Sequence, residues 1–228
     1  MKFIIIGLGN FGASLSERLV AMGHEVIGID REMSKIEAMK GRLTHTMCLD
    51  SSDQQAITNL PLKETDVVVV CIGEDEGANL MTTALMKKMN VKRLISRAVN
   101  PLHETVLDAM MIREIVHPEE ETAERWANKL DLPGIIDSFE LSREYSLIEV
   151  VVPERYVGKK LGEIRFRRNY NILLLTVMRV EEETNALGVK RKVTVPQGVA
   201  SSETVLNEGD IVVFFGKIKD IQKMLKEG

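Results

Sequence analysis

The segment FIIIGLGNFG, residues 3–12, places a short apolar run directly before three glycines. Residues 3–6 lack the polar alternation of a half-exposed strand, so they predict a strand buried on both faces, as in the centre of a parallel sheet. Gly7, Gly9 and Gly12 form the pattern G-x-G-x-x-G, and apolar residues then recur at helical spacing. A strand, a glycine turn and a helix in this order predict a phosphate-binding loop.

Each glycine of this loop has its own expected role. Gly7 permits the tight turn, Gly9 lets a phosphate approach the backbone, and Gly12 lets the helix pack closely on the strand. Asn10 and Phe11 lie between them and belong to the candidate site. The start of the helix adds free N–H groups and the positive end of the helix dipole, both of which favour an anion.

An acidic residue follows at the expected distance from the loop. The second strand-like run ends at Asp30, 18 residues after Gly12, which is close to the spacing of an acid that binds ribose hydroxyls. The same charge would repel a 2′-phosphate, so the sequence disfavours NADP. Arg31 comes next and is placed to stack on adenine or to contact a phosphate. We therefore expect an adenine nucleotide here.

Strand-like and helical segments continue to alternate as far as residue 118. This alternation predicts an α/β fold with a doubly wound, parallel, Rossmann-like sheet, whose ligands bind at the carboxyl ends of the strands. Several candidate site residues follow such strand ends: Asp50, Ser51, Ile72, Gly73, Glu74 and Arg97.

The rest of the chain predicts a second, smaller α+β domain. Its strand-like segments and its terminal helix lie at residues 145–152, 171–180, 210–216 and 217–226. We assign residues 1–135 to the nucleotide-binding domain and residues 140–228 to the second domain, with the join between them.

The helix predicted after residue 118 carries an apolar stripe: Ala123, Trp126, Ala127 and Leu130. Two interpretations are open. The stripe packs either on the sheet of its own domain or on a partner chain.

Charge, apolar runs and cysteines limit the partners and the cell compartment that this chain can have. The net charge is −4, and the basic segment at residues 165–168 is too short for a nucleic-acid interface, so no nucleic-acid partner is expected. The apolar run at residues 3–6 is too short for a membrane span or a signal peptide, which predicts a cytoplasmic chain. Cys48 and Cys71 each follow an apolar run and are interpreted as buried thiols of a reducing compartment.

Taken together, these features resemble the regulator-of-potassium-conductance family, the cytosolic regulatory subunits of bacterial Trk and Ktr potassium-uptake systems. The resemblance covers nearly the whole chain. It rests on residues 7–12, Asp30, Asp50, residues 72–73 and residues 117–119 in the first half, and on residues 157–163, 170–172 and 206–210 in the second.

The resemblance implies a non-enzymatic subunit that gates a membrane potassium transporter and lies at the cytoplasmic membrane through that partner. It also implies a homodimer formed through the helix after the sixth strand, and a ring of dimers, an octamer in the single-copy Ktr arrangement. Glu119 would reach a cation at the dimer interface, or else serve as an ordinary carboxylate at a helix start. Related C-terminal domains bind cyclic di-AMP.

The ligand itself stays open at this point. Relatives of the Ktr type often carry an arginine where this chain has Asn10, and that arginine would meet the terminal phosphate of ATP. Asn10 offers no charge, so NAD(H) and ADP are as well supported as ATP. Arg97 is placed to compensate in part.

A rival interpretation is an NAD-dependent oxidoreductase, because Tyr156 and Lys160 have the Y-x-x-x-K spacing of short-chain dehydrogenases. That pair must share one helix face inside the nucleotide domain, whereas here Gly158 interrupts it and it falls in the second domain. The four histidines show no metal-ligand spacing. A third interpretation is a free-standing nucleotide sensor that binds a soluble partner or DNA, although the basic segment at residues 165–168 is too short and isolated to support DNA binding.

Overall fold

The computed structural model describes residues 1–131, 134–142, 144–184 and 190–227. Its contacts divide the chain into two units, Met1–Glu121 and Thr122–Gly228. This division falls earlier than the predicted join between residues 135 and 140. The predicted domain limits stay a prediction about which segments fold independently.

The first unit is built on a parallel sheet of six strands: β1 (Lys2–Ile6), β2 (Glu25–Asp30), β3 (His45–Cys48), β4 (Val67–Val70), β5 (Leu94–Arg97) and β6 (Glu114–Val116). The helices between them are α1 (Asn10–Ala21), α2 (Met33–Met39), α3 (Gln54–Ile57), α4 (Glu76–Lys88) and α5 (Pro101–Ala109). The strand order is β3-β2-β1-β4-β5-β6, which is the order of a doubly wound dinucleotide fold. The predicted fold class is confirmed.

Burial explains why the central strands read as unbroken apolar runs. β1 lies between β2 and β4, with Phe3 opposite Val67 and Ile4 opposite Ile27. All four valines of β4 are buried, because helices cover both faces of the sheet. The carboxyl ends of β1, β2, β4 and β5 therefore meet along one edge.

Side-chain caps fix where three helices begin. Asp53, Asp75 and Asn100 precede α3, α4 and α5, and each accepts a hydrogen bond from a backbone N–H of the first turn, at 2.8, 2.9 and 2.8 Å. Such caps satisfy donors that have no partner within the helix. The start of α4 is thus held close to the end of β4, where the site residues lie.

Burial of His103 in α5 makes folding depend on pH. The residue is 1% exposed, and neither ring nitrogen has a hydrogen-bond partner among the described residues. Burial lowers the pKa of His103, and the nearby Glu76 opposes this in part. The unfolded chain thus binds more protons than the folded chain, so this contribution to stability is full above about pH 6.5 and is lost as the pH falls towards the lower folded-state pKa.

We expect His103→Leu to flatten the fall of the melting temperature between pH 7 and pH 5, because it removes the group that takes up a proton on unfolding. Thermal unfolding at several pH values measures this. His45→Leu, at an exposed histidine of β3, is the control and should keep the slope of the parent chain. Equal slopes in all three proteins would contradict the assignment.

The second unit is built on an antiparallel sheet. Its strands are β7 (Ile135–Glu140), β8 (Tyr145–Val151), β9 (Leu173–Thr184), β10 (Lys190–Pro196) and β11 (Ile211–Lys217), in the order β10-β9-β11-β8-β7. Helix α6 (Pro118–Asp131) begins in the first unit and continues into the second. The remaining helices are the short α7 (Leu161–Ile164) and α8 (Phe166–Tyr170), and α9 (Ile218–Lys226) at the end of the chain.

The core of this sheet centres on Phe214, whose ring meets the edge of Phe166 at 4.9 Å between centroids. Ile221 and Met224, three residues apart on α9, are fully buried against the same cluster. The predicted strands and terminal helix of this half are therefore present, and so is the predicted smaller α+β domain.

Two strands were not predicted. Residues 135–140, taken as the join between domains, instead form β7, which pairs with β8. This strand was missed because Asp137 and Ser138 interrupt the apolar pattern, while backbone pairing and an ion pair of Asp137 with Arg125 hold the strand. β10 was missed because its first three residues are charged.

The apolar stripe of α6 does not pack on its own sheet. Trp126 is 53% exposed and Leu130 is 78% exposed, and Ala123 and Ala127 are exposed as well. Arg125 of the same helix bonds Asp137 on β7 of the antiparallel sheet. The interpretation in which the stripe covers its own sheet was wrong, and the one with a partner chain stays a prediction. No described helix is long and apolar enough to cross a membrane.

Candidate functional site

The glycine loop between β1 and α1 is closed by contacts that a side chain would prevent. Gly7 has φ +95°, a conformation that favours glycine, and its N–H donates to the carbonyl of Ile29 at 2.8 Å. A Cβ on Gly12 would lie 1.9 Å from the carbonyl oxygen of Gly7, so α1 rests directly on the turn. Gly12 thus packs beneath the site.

Gly9, by contrast, borders open space. A Cβ added there would meet nothing within 4 Å. Gly9 is also the N-cap of α1, with no side-chain cap and no acidic residue in the first turn of the helix. The N–H groups at this helix start are therefore free to bind an anion, and Gly9 leaves room for its approach.

Asp30 at the end of β2 is buried at 8% exposure and fixes the loop. Its Oδ2 accepts a hydrogen bond from the N–H of Leu8 at 2.7 Å, and its Oδ1 accepts one from the N–H of Glu32 at 2.9 Å. Each carboxylate oxygen keeps a second lone pair for another donor. Asp30 can thus hold the loop and, at the same time, accept a hydrogen bond from a hydroxyl of a ligand.

Asp50 and Ser51 follow β3. Asp50 Oδ1 accepts from the hydroxyl and the N–H of Ser52 at 2.6 and 2.9 Å. These bonds, with a smaller effect of Arg31, hold the pKa of Asp50 below its usual range. The hydroxyl of Ser51 bonds that of Thr82 on α4 at 2.9 Å. Asp50 offers its second oxygen to a ligand, whereas the Ser51 hydroxyl already makes one hydrogen bond within the protein.

Arg97 at the end of β5 lies against the backbone of Gly73. A Cβ on Gly73 would fall 2.4 Å from Arg97 Nη1, so the guanidinium occupies the space that a side chain would need. Nη1 donates to the carbonyl of Cys71 at 3.4 Å, and Nη2 donates to Glu119 Oε1 at the start of α6. The cation is thus fixed at the strand edge, with a carboxylate as its partner.

These residues surround a cavity of about 250 Å³. Of the predicted site residues, those that line it are Gly7, Gly9, Asn10, Phe11, Asp30, Arg31, Asp50, Ser51, Ile72, Gly73, Glu74, Arg97 and Glu119. Gly12 does not. The lining residues that were not predicted are Ile6, Glu32, Lys35, Cys71, Asp75 and Ala78. One cavity at the carboxyl edge of the sheet thus collects nearly the whole predicted set.

Every cation of the lining is paired. Arg31 Nη1 lies 3.4 Å from Asp75 Oδ2, and Lys35 Nζ lies 2.9 Å from Glu32 Oε1. The hydrogen bond to Glu32 raises the pKa of Lys35, against the effect of burial. With Arg97 bound to Glu119, a ligand phosphate must share or replace a carboxylate at each cation.

A buried polar network behind the cavity was missed. Asn79 of α4 is fully buried, and its Nδ2 donates to the carbonyls of Ile72 at 2.8 Å and Arg97 at 3.1 Å. Its Oδ1 accepts from the hydroxyl of Ser96 at 3.1 Å. The signal in the sequence is Asn79, Thr82 and Thr83, polar residues at helical spacing on the face of α4 that meets the sheet.

The cysteines differ from each other. Cys71 is buried, and burial raises the pKa of its thiol to about 12, so it stays protonated. Cys48 is exposed, and its Sγ lies 3.5 Å from the carbonyl oxygen of Arg31. The interpretation of Cys48 as buried was wrong, because β3 is the edge strand of the sheet and leaves its end open.

Comparison with known domain families shows to which family the chain belongs. The model of the TrkA-N domain matches residues 3–118, and that of the TrkA-C domain matches residues 147–227. The chain belongs to the TrkA-N/TrkA-C family. The first match covers the parallel sheet and the cavity, and the second covers most of the antiparallel unit.

Relatives of this TrkA-N/TrkA-C chain match it from end to end. Ktr system potassium uptake protein C of Bacillus subtilis (strain 168) is 32% identical over 225 residues, which are 99% of this chain and 96% of that protein. Ktr system potassium uptake protein A of the same strain is 26% identical over 227 residues, 100% and 96% of the two chains. The GsuK channel bound to NAD shares the fold, with a TM-score of 0.62 at 14% identity over 98% of this chain and 39% of that chain.

In this TrkA-N/TrkA-C chain, the side chains of the Y-x-x-x-K pair do not have the arrangement that a short-chain dehydrogenase needs. Tyr156 ends a 3₁₀ turn and packs edge-on to Phe166 in the core of the second unit. Its hydroxyl bonds that of Tyr170 at 3.3 Å, and burial raises its pKa. Lys160 precedes α7 and pairs with Glu203 at 2.7 Å. The two side chains therefore do not share a helix face.

Metal ligation finds no support within the residues that the structure describes. No group of three or more His, Cys, Asp or Glu side chains among them is arranged to hold an ion. The Glu119 carboxylate bonds Arg97, and His117 Nε2 lies 3.4 Å from Glu104 Oε1. A cation role for Glu119 stays a prediction.

Proposed function

We propose that this chain is the nucleotide-sensing regulatory subunit of a Ktr-type potassium-uptake system, acting on a membrane potassium transporter from the cytoplasm. The observation that carries the proposal is the end-to-end match to Ktr system potassium uptake protein C, which includes both domains in the same order. The cavity at the glycine loop supplies the sensing site.

The cavity suits an adenine nucleotide. The free N–H groups after Gly9 would bind a phosphate, and Asp30 would accept a hydrogen bond from a ribose hydroxyl. Arg97 would neutralise a second phosphate. NAD(H), ADP and ATP all fit this description, and the GsuK channel of the same fold is bound to NAD. Asn10 adds no charge for a terminal phosphate, so ATP gains no advantage.

We further propose that the chain acts as a homodimer, paired through the exposed stripe of α6, and that dimers form a ring of eight chains. Trp126 and Leu130 leave a large apolar surface on this helix, which supports a protein partner there. A nucleotide would gate the transporter by binding the two states of the ring with different affinity. The proposed cation at Glu119 and cyclic di-AMP in the C-terminal domain belong to this assembled state.

A non-catalytic role is proposed over the NAD-dependent oxidoreductase. Hydride transfer needs a proton donor or acceptor beside the nicotinamide. Tyr156 is buried among aromatic rings, and Lys160 is held by Glu203. An enzyme would turn over a substrate, whereas a regulatory subunit would co-purify with a membrane protein that has several spans.

Calorimetric titration of the nucleotide-free chain with ATP, ADP, NADH and NADPH tests the site. We expect at least one of the first three nucleotides to bind. Asp30→Ala should weaken its binding about 10- to 100-fold, since a hydrogen bond to a buried carboxylate is lost. The affinity for NADPH should fall less than that for NADH, because the substitution also removes the repulsion between Asp30 and the 2′-phosphate.

Asp53→Ala is the matched control, because Asp53 also accepts a backbone N–H but lies outside the cavity. It should leave all four affinities unchanged. Failure of every nucleotide to bind the parent chain would refute the sensing site, and an equal loss in both variants would refute the role of Asp30.

A further inference from the structure

Arg97 is the most buried cation of the cavity lining. Its side chain is 16% exposed, compared with 27% for Lys35 and 57% for Arg31. Its Nε is buried and finds no hydrogen-bond partner among the described residues, and Gly73 backs the guanidinium. A cation that is so enclosed cannot turn out to water, so it needs an anionic partner in place.

Glu119, the partner, is held far less firmly. Its side chain is 66% exposed, and it lines the same cavity. An exposed carboxylate can rotate into solvent at small cost, because water replaces the hydrogen bond that it gives up. Of the two charges in this ion pair, Arg97 is thus the fixed one and Glu119 the replaceable one.

Carboxylate and phosphate oxygens accept the same charge-assisted hydrogen bonds from a guanidinium. Glu119 therefore occupies, in the ligand-free chain, a donor that a phosphate in the cavity would use. We propose that Glu119 is an internal competitor for the ligand: a phosphate group takes Arg97 from it, and the carboxylate at the first turn of α6 is released. This inference rests on the proposed nucleotide site.

The competition lowers the affinity for phosphorylated ligands alone. If the Arg97–Glu119 pair is formed in about 70 to 90% of molecules, the apparent dissociation constant of a ligand that needs Arg97 is about three to ten times higher than without the pair. A ligand that lacks a phosphate does not need Arg97 and is unaffected. ADP and adenosine are suitable probes, because they share the nucleoside and only ADP carries phosphate groups.

Calorimetry on the full chain, with EDTA present to exclude divalent cations, tests the competition. We expect Glu119→Gln to tighten ADP binding about three- to tenfold and to leave adenosine binding unchanged. Arg97→Gln should weaken ADP binding but leave it tighter than adenosine binding, because the N–H groups after Gly9 still bind one phosphate. Adding Glu119→Gln to Arg97→Gln should then give no gain in ADP affinity. Glu119→Ala is the second variant, for use if the Gln side chain replaces the hydrogen bond.

Glu114→Gln is the matched control. Glu114 pairs with Arg93 on the same sheet, with Arg93 Nε 2.8 Å from Glu114 Oε1, and neither residue lines the cavity. This variant should bind ADP as the parent chain does. Weaker or unchanged ADP binding in both Glu119 variants would overturn the inference while leaving the nucleotide site intact. Failure of the parent chain to bind ADP and every other nucleotide would instead overturn the proposed function.

Discussion

Gly12→Ala is expected to destabilise the first unit by about 3 kcal/mol or more and to abolish nucleotide binding. The new methyl group would lie 1.9 Å from the carbonyl oxygen of Gly7. The methyl group is fixed to the backbone of α1, and the carbonyl belongs to the closed turn after β1. Neither can move without separating α1 from β1. Hydrogen exchange of the β1 and α1 amides, measured beside calorimetry, reports both effects.

Gly9→Ala is the informative comparison, because it makes the same chemical change three residues earlier. Its methyl group meets nothing within 4 Å, so hydrogen exchange and the melting temperature should match or slightly exceed those of the parent chain. Nucleotide binding should nevertheless fall, since the methyl group enters the space reserved for a phosphate. A Gly9→Ala chain that binds nucleotide normally would show that the phosphate does not approach this backbone.

Asn79→Ala is expected to cost about 1 to 3 kcal/mol of folding free energy, because it leaves the partly buried carbonyls of Ile72 and Arg97 without their amide donor. Both carbonyls belong to the strand ends that hold the cavity. Nucleotide affinity should therefore fall too, although Asn79 does not line the cavity. Urea unfolding followed by circular dichroism, together with calorimetry, measures the two effects.

Met81→Ala serves as the control on the same helix. Met81 is 56% exposed, so its loss should change stability by no more than about 0.5 kcal/mol. If Asn79→Ala changed the folding free energy as little as Met81→Ala, the idea that the Asn79 network positions the two strand ends would be refuted.

The sequence predicted the parts of the site that depend on local chain geometry. The glycine pattern and the spacing to Asp30 are read along the chain, and the parallel sheet then brings the remaining strand ends to the same edge. Gly73 was predicted for its place at such an end. Its physical reason, the close approach of Arg97, became visible only in three dimensions.

Other features depend on contacts that a sequence does not display. Asn79, Thr82 and Thr83 share one face of α4, but the sequence does not show that this face meets the sheet or that Asn79 bonds two carbonyls. Cys48 follows an apolar run, but the place of β3 at the sheet edge exposes it. β7 and β10 lie at the two edges of the antiparallel sheet, where backbone pairing compensates for a weak apolar pattern.

The position of β10 also bears on solubility. An edge strand presents unpaired N–H and C=O groups to which another chain can add. Lys190, Arg191 and Lys192 occupy the first three positions of this edge, and two of them pair with glutamates of β9. A strand that added to this edge would remove these charged side chains from water, which is costly. The strand therefore guards the molecule against edge-to-edge aggregation, even where many copies are crowded together.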